Sequence, residues 1–321
     1  MINVMQHTIL HNVFIKIKKS KIMKNVILTL LLATIPFMGY MQTSVDAKEI
    51  INKLNKGESV SYENVIVSGN LDFRLIQEKQ KVKDGANGIF KDNVTYKYHV
   101  RNSLKFINCT FNDEIIGYFH DDPEDELHIV MFHDDVVFNN CTFKEDLLVK
   151  YTKFYKNASF KANTYEGIAL FKYSEFSSSV DFSKSYFDET ANFKYAEFPM
   201  ISDFSSSKFN GEAIFKYTVF EDKSNFSNCE FNELASFKYT KLEEFIDFSN
   251  VKFNSDAIFK YTKFSEGVSF ENAFFDDFAD FKYAKMYEPI NLKNVEFDGE
   301  TSFKYTEVDG REFVTYIMRN K

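Results

Sequence analysis

Large apolar residues recur along this chain at intervals of 5, 6, 5 and 6, so that every four steps close a cycle of 22 residues. One cycle runs Phe171, Phe176, Phe182, Phe187 and returns at Phe193; the next runs Phe193, Phe198, Phe204, Phe209 and returns at Phe215. Two residues before most of these rings stands a small or branched residue, as in Ala191, Ala196, Ser202 and Ala213, and the residue between is mostly polar, as in Asn192, Asp203 and Asp247. Residues two apart on a strand face the same way, so ring and small residue share an interior while the middle residue meets water. A period held over so many cycles predicts a solenoid in which each coil buries its apolar face only against its neighbours. Four apolar columns per cycle imply four sides.

The pattern begins at Phe106 and Phe111 and resumes at Phe132, Phe138 and Phe143, offset by one period plus ten residues. The interruption centres on His120–Glu126, an acidic loop. Residues 74–103 are read as an insertion or long loop, and Val60–Phe73 as a first, irregular rung. Ahead of these, Ile50, Ile51 and Leu54 have helical spacing between Asp46, a suitable N-cap, and Gly57, a stop. A short helix here, within 48–59, would cap the open end of the stack against edge-to-edge aggregation. Irregular turns are expected over 60–131, the regular coil over 132–314, and a tail over 315–321.

Segments such as Ala191-Asn192-Phe193, Val180-Asp181-Phe182 and Ser202-Asp203-Phe204 resemble the repeat unit of the pentapeptide-repeat proteins, and the alternating spacing is similar to their phenylalanine-rich branch. The resemblance covers roughly Phe106 to Val314. It implies an all-β fold, a right-handed quadrilateral parallel β-helix, here of about nine turns with the short N-terminal capping helix. The sixth residue on alternate sides departs from the family unit and is expected to bulge two corners. With rungs about 4.8 Å apart, the rod would be roughly 40 to 45 Å long.

Composition fits this architecture: 38 Phe and no Trp suit one repeated ring slot. With only 11 Gly and 4 Pro, the corners are expected to turn on Asn, Asp and Ser. Lys16, Lys18, Lys19, Lys21 and Lys24 precede an apolar run from Val26 to Met41 that contains Pro36, so residues 1–47 read as a signal peptide. Cleavage after Ala47 is expected, with cleavage before Gln42 the alternative. Loss of five Lys and one Asp with that segment takes the net charge from −8 to −12, which repels nucleic acid and anionic membranes overall.

No nucleophile elbow, phosphate-binding glycine loop or zinc-protease helix motif is present, so no enzyme and no cofactor are expected. Cys109, Cys141 and Cys229 all occupy small inward slots and read as buried thiols. Cys109 and Cys141 become neighbours if the ten extra residues loop out. His120, His128 and His133, set among aspartates, are the weak candidates for a metal. A Phe-Lys-Tyr tripeptide stacks Lys150, Lys172, Lys194, Lys216, Lys238, Lys260, Lys282 and Lys304 in one outer column. Beside it stand Tyr151, Tyr173, Tyr195, Tyr217, Tyr239, Tyr261, Tyr283 and Tyr305. The expected role is an exported structural or protein-interaction scaffold. Its alternatives are binding of an acidic glycan or other polyanion by the Lys/Tyr ladder, or the DNA-like, topoisomerase-binding role known among the family that the chain resembles. An unknown protein or an acidic glycan is the expected partner, with no nucleic acid, the membrane met only through the signal segment, and a homodimer formed through the C-terminal end.

Overall fold

The computed structural model describes residues 43–83, 94–122 and 125–319. The folded unit is an all-β parallel solenoid whose four sheets hold 10, 10, 11 and 13 strands. It is longer than nine turns, because the irregular segment from Val60 already forms rungs and Thr43–Asp46 adds a further strand. In-register pairing steps by 22 residues through the regular part: Ala191 pairs with Ala213, Phe198 with Phe220, Ser202 with Ser224 and Phe209 with Phe231.

Each inward column is a stack of rings. Phe193 and Phe215 lie 5.0 Å apart and 1° from parallel, and Phe204 and Phe226 4.8 Å apart. Across the interior the columns meet edge to face, as Phe193 and Phe204 do at 5.3 Å and 87°. Both arrangements suit the ring quadrupole. Burial of each ring contributes about 1.5 to 3 kcal/mol, so the columns carry most of the stability.

The two corners spanned by five residues are tight turns. In the first, the carbonyl of Phe215 accepts from the N–H of Thr218 at 3.1 Å and the intervening Tyr217 has φ 62°. Positive φ at the third of four residues is the signature of a type II turn. In the second, Asn228, Asn250 and Asn272 hold φ between 56° and 59°. One corner thus turns mostly on Asn or Ser as expected, with Ala162 and Lys184 taking the same left-handed place in two earlier turns. The other turns on Tyr, against expectation, and all eight residues from Tyr151 to Tyr305 have φ of 60° to 62°. Left-handed backbone costs a residue with a Cβ roughly 1–2 kcal/mol, which the ring stack described below offsets.

The small inward slot after these turns is a hydrogen-bonding position as well as a space filler. The hydroxyls of Ser174, Thr218, Thr240 and Thr262 donate to the carbonyls of Val149, Phe193, Phe215 and Phe237 one rung back, at 2.6 to 2.8 Å. The hydroxyl of Thr152 is buried without a hydrogen-bond partner among the described residues. The carbonyl in the equivalent place one rung back is that of Gly117, which accepts from the N–H of Val130 at 2.9 Å, where its counterparts accept from the residue three further on in their own turn. Val130 belongs to the hairpin Tyr118–Asp121/Glu126–Phe132, which replaces the expected acidic loop.

Three further boundaries differ from expectation. Within 74–103, read as an insertion or long loop, two strands form: Lys79–Lys83 pairs antiparallel with Val94–Val100, which pairs parallel with Glu126–Phe132. The tail folds into helix α2 (Phe313–Arg319), where Phe313 stacks on Phe303 at 4.3 Å and covers the last ring. At the N-terminus, helix α1 (Ala47–Asn55) forms as expected, with Asp46 accepting from the N–H of Lys48 at 2.8 Å and Ile50, Ile51 and Leu54 buried. Thr43–Asp46, placed in the signal segment by the Ala47 boundary, pairs instead with Val65–Ser68 and buries Val45. Residues 1–42, with the apolar run, lie outside the described residues.

The two threonines can be separated experimentally. Thr240→Val should cost about 1 kcal/mol in denaturant unfolding, from one lost buried hydrogen bond. Thr152→Val removes an orphan hydroxyl and should be neutral or stabilising. Equal losses at the two sites would show that the Thr152 hydroxyl is hydrogen-bonded after all.

Candidate functional site

The outer corner that follows the first column carries the Lys and Tyr files together. Tyr rings from Tyr151 to Tyr305 stack at 4.7 to 4.8 Å, nearly all within 9° of parallel and with a 23° tilt only at the last step. The ammonium groups of Lys172, Lys194, Lys216, Lys238, Lys260 and Lys304 lie 4.9 to 5.4 Å from the centroid of the adjoining Tyr. Stacking along the axis buries ring faces against one another. The file therefore presents ring edges and hydroxyls.

None of Lys172, Lys194, Lys216, Lys238, Lys260, Lys282 and Lys304 forms an ion pair among the described residues. Several lysines elsewhere are matched: Lys153 with Glu175 at 2.6 Å, Lys161 with Asp181 at 2.9 Å, Lys208 with Glu230 at 2.9 Å, Lys293 with Glu271 at 3.0 Å. Lys150 differs from the rest of its column, donating to the hydroxyl of Tyr118 at 3.0 Å. Partial desolvation, and then the neighbouring lysines, lower the pKa of Lys172 and Lys216 below the ordinary range. Desolvation and neighbouring phenols push Tyr173 and Tyr217 up. The file is a row of like charges that the protein itself leaves uncompensated.

A second basic file escaped the sequence reading. In the neighbouring sheet Lys241 pairs in register with Lys263, and Lys263 with Lys285, in outward positions three residues after Lys238, Lys260 and Lys282. Its signal was present as Lys-Tyr-x-Lys at 238–241, 260–263 and 282–285. Earlier turns hold Glu175, Glu197 and Val219 there. Lys263 is engaged by Glu243 at 3.0 Å; Lys241 and Lys285 are not paired among the described residues. At the N-terminal end, the file runs into a groove of about 380 Å³ lined by Lys97, Lys153, Tyr151, Tyr155 and Tyr173 among others.

The histidine candidates are not brought together. His120 contacts Asp122 at 2.7 Å and Asp125 at 3.3 Å. His128 is hydrogen-bonded to the hydroxyl of Tyr98 at 2.9 Å, and His133 to His99 at 2.8 Å while stacking on Tyr155. Desolvation lowers the pKa of His99, His128 and His133. No group of three potential ligands converges among the described residues. The three cysteines are buried free thiols. Cys109 and Cys141 do occupy adjacent rungs, since Thr110 and Thr142 pair directly, and their thiols reach backbone carbonyls at Ile107 and Asn139.

Stacked parallel rungs, an aromatic core and an outer face of repeated rows define a β-solenoid scaffold. A family model described as pentapeptide repeats (9 copies) matches residues 171–219, 193–241, 215–263, 237–285 and 259–307. The chain is a pentapeptide-repeat protein. No curated protein and no solved structure matches it.

The Tyr stack is what holds this corner in left-handed backbone. Tyr217→Ala, which keeps the strain and loses two ring contacts, should destabilise by about 1–2 kcal/mol. Tyr217→Gly should be the milder change, because glycine enters this conformation without the Cβ penalty. Chemical unfolding of the two variants checks the order, and an alanine variant as stable as the glycine one contradicts it.

Proposed function

We propose that the protein is an exported, non-catalytic scaffold that engages its partner through the Lys/Tyr corner. The uncompensated lysine row carries this reading: seven lysines from Lys172 to Lys304 stand one per rung with no ion pair among the described residues, and neighbours in the row repel one another. At about 5 Å in water, adjacent unit charges repel by about 0.8 kcal/mol, so an anionic partner would relieve a stress already built in. A fixed row of donors presents a surface for recognition, and no part of the proposal requires a bond to be made or broken.

Export is supported by the lysine-rich start and the apolar run to Met41. The place of Thr43–Asp46 in the fold favours processing before Gln42 over processing after Ala47. Removal through Ala47 would delete an edge strand and the N-cap of α1, and loss of such a cap alone costs about 1 kcal/mol. Fractionation of the source cells with N-terminal sequencing should find the chain outside the cytosol beginning at or near Gln42. An intact cytosolic chain would overturn export and favour the topoisomerase-binding alternative.

A second reading concerns assembly. Three of the four sheets end in strands without a further partner among the described residues, at Ile290–Asn291, Glu296–Phe297 and Thr301–Ser302, and Phe297 is 38% exposed. We propose that a second copy pairs with this end. The mass in solution should be twice that of the chain, and a monomer at all accessible concentrations would exclude it.

A further inference from the structure

We propose that the Lys/Tyr corner is a track for an extended acidic polysaccharide, laid along the solenoid axis with about one carboxylate per rung and held most firmly over the turns from Lys238 to Lys285. The inference rests on the scaffold reading and names its ligand.

The track is linear and periodic. From Tyr151 to Tyr305 the rings step seven times at 4.7 to 4.8 Å, a length of roughly 34 Å at the spacing of parallel strands. A ligand that follows it must repeat an anionic group at a similar rise, as an extended hexuronic acid polymer does. Duplex DNA sets its phosphates about 3.4 Å apart along each strand and falls out of register within a few rungs.

The chemistry of the file points the same way. Single-stranded nucleic acid is held largely by stacking of bases on aromatic faces, and here those faces are spent on neighbouring tyrosines. What remains is a row of ammonium groups beside a row of phenolic hydroxyls, none of the latter with a hydrogen-bond partner among the described residues. Ammonium groups meet carboxylates as point charges, and hydroxyls complement the hydroxyl-rich rings between them.

The lysines of the second file, Lys241 and Lys285 above all, flank the Tyr row on its other side, so these turns present cations on both edges of the track. Desolvation lowers the pKa of Lys172 and Lys216, and the adjacent lysines of the file lower it further. At the N-terminal end the groove beside Lys97 and Tyr155 gives the polymer a place to terminate.

The test is titration of the purified full-length protein with polygalacturonate at low salt. Wild type should bind, and affinity should fall as salt is raised. The triple variant Lys238→Gln, Lys260→Gln, Lys282→Gln should bind about tenfold more weakly, and the corresponding triple change to Arg should keep binding. Lys105→Gln, Lys144→Gln, Lys252→Gln together make the same charge change on other faces and should leave affinity unaltered.

Absence of binding by wild type would overturn the proposal, as would an unaffected ladder variant or equal weakening in the control. Equal or tighter binding of a single-stranded oligothymidylate of matched charge would also overturn it. These outcomes are distinct from failure of the scaffold reading: a cytosolic, uncleaved chain that still binds the polymer through the ladder would remove export and leave the track standing.

Discussion

Everything in this molecule follows from parallel pairing in register at a step of 22 residues. Such pairing sets each residue directly over its equivalent in the next rung, so a repeated sequence becomes a set of rows. In the interior this is favourable at every step: Phe on Phe gains stacking, and rings of adjacent columns meet edge to face. On the surface the same rule is a constraint, because a row of one residue must tolerate itself. Amides do so by bonding along the row, as Asn254 donates to Asn232 at 2.8 Å and Asn232 to Asn210 at 3.1 Å. Charges do so by alternating sign, as in Lys153 over Glu175 or Lys208 over Glu230. The Lys172–Lys304 row does neither.

That contrast explains why so much of the architecture was legible and where legibility ended. Inward columns are written in the sequence because only apolar residues fit them and the period repeats without drift from Phe132 onward. Corners are written less clearly. Left-handed backbone is ordinarily assigned to Gly or Asn, and the Asn228–Asn294 corner obeys; the Tyr corner does not, because a ring stack running the length of the coil outweighs the local preference. Lys79–Lys83 could not be seen as a strand, since four of its five residues are exposed and no alternation marks a buried face. α2 has only seven residues, too few to display a helical period, and it forms because the last rungs offer Phe303 to cover.

The candidate site was half legible. Spacing alone placed the lysines and tyrosines in two columns, but the orientation of the rings is a property of the stack and could not be read from it. The second lysine file was missed for a different reason. Lys241, Lys263 and Lys285 occupy a row in which Lys153, Glu175, Glu197 and Val219 precede them, so it looks unpatterned until the sheet register joins it to the Tyr corner.

The Tyr and Lys files also depend on each other. A lysine side chain on a loop samples many rotamers, and fixing it for a ligand costs conformational entropy. Here six of the lysines, Lys172 to Lys260 and Lys304, lie beside a stacked ring, on turns whose backbone carbonyl is tied to the neighbouring rung. The rung spacing therefore becomes the spacing of the charges, and it cannot adapt to a ligand of different repeat. A rigid row of this kind discriminates by period: a matched polymer gains one contact per rung along the whole track, whereas a mismatched one gains a few and then loses phase. Selectivity on this surface arises from the same 22-residue step that builds the core.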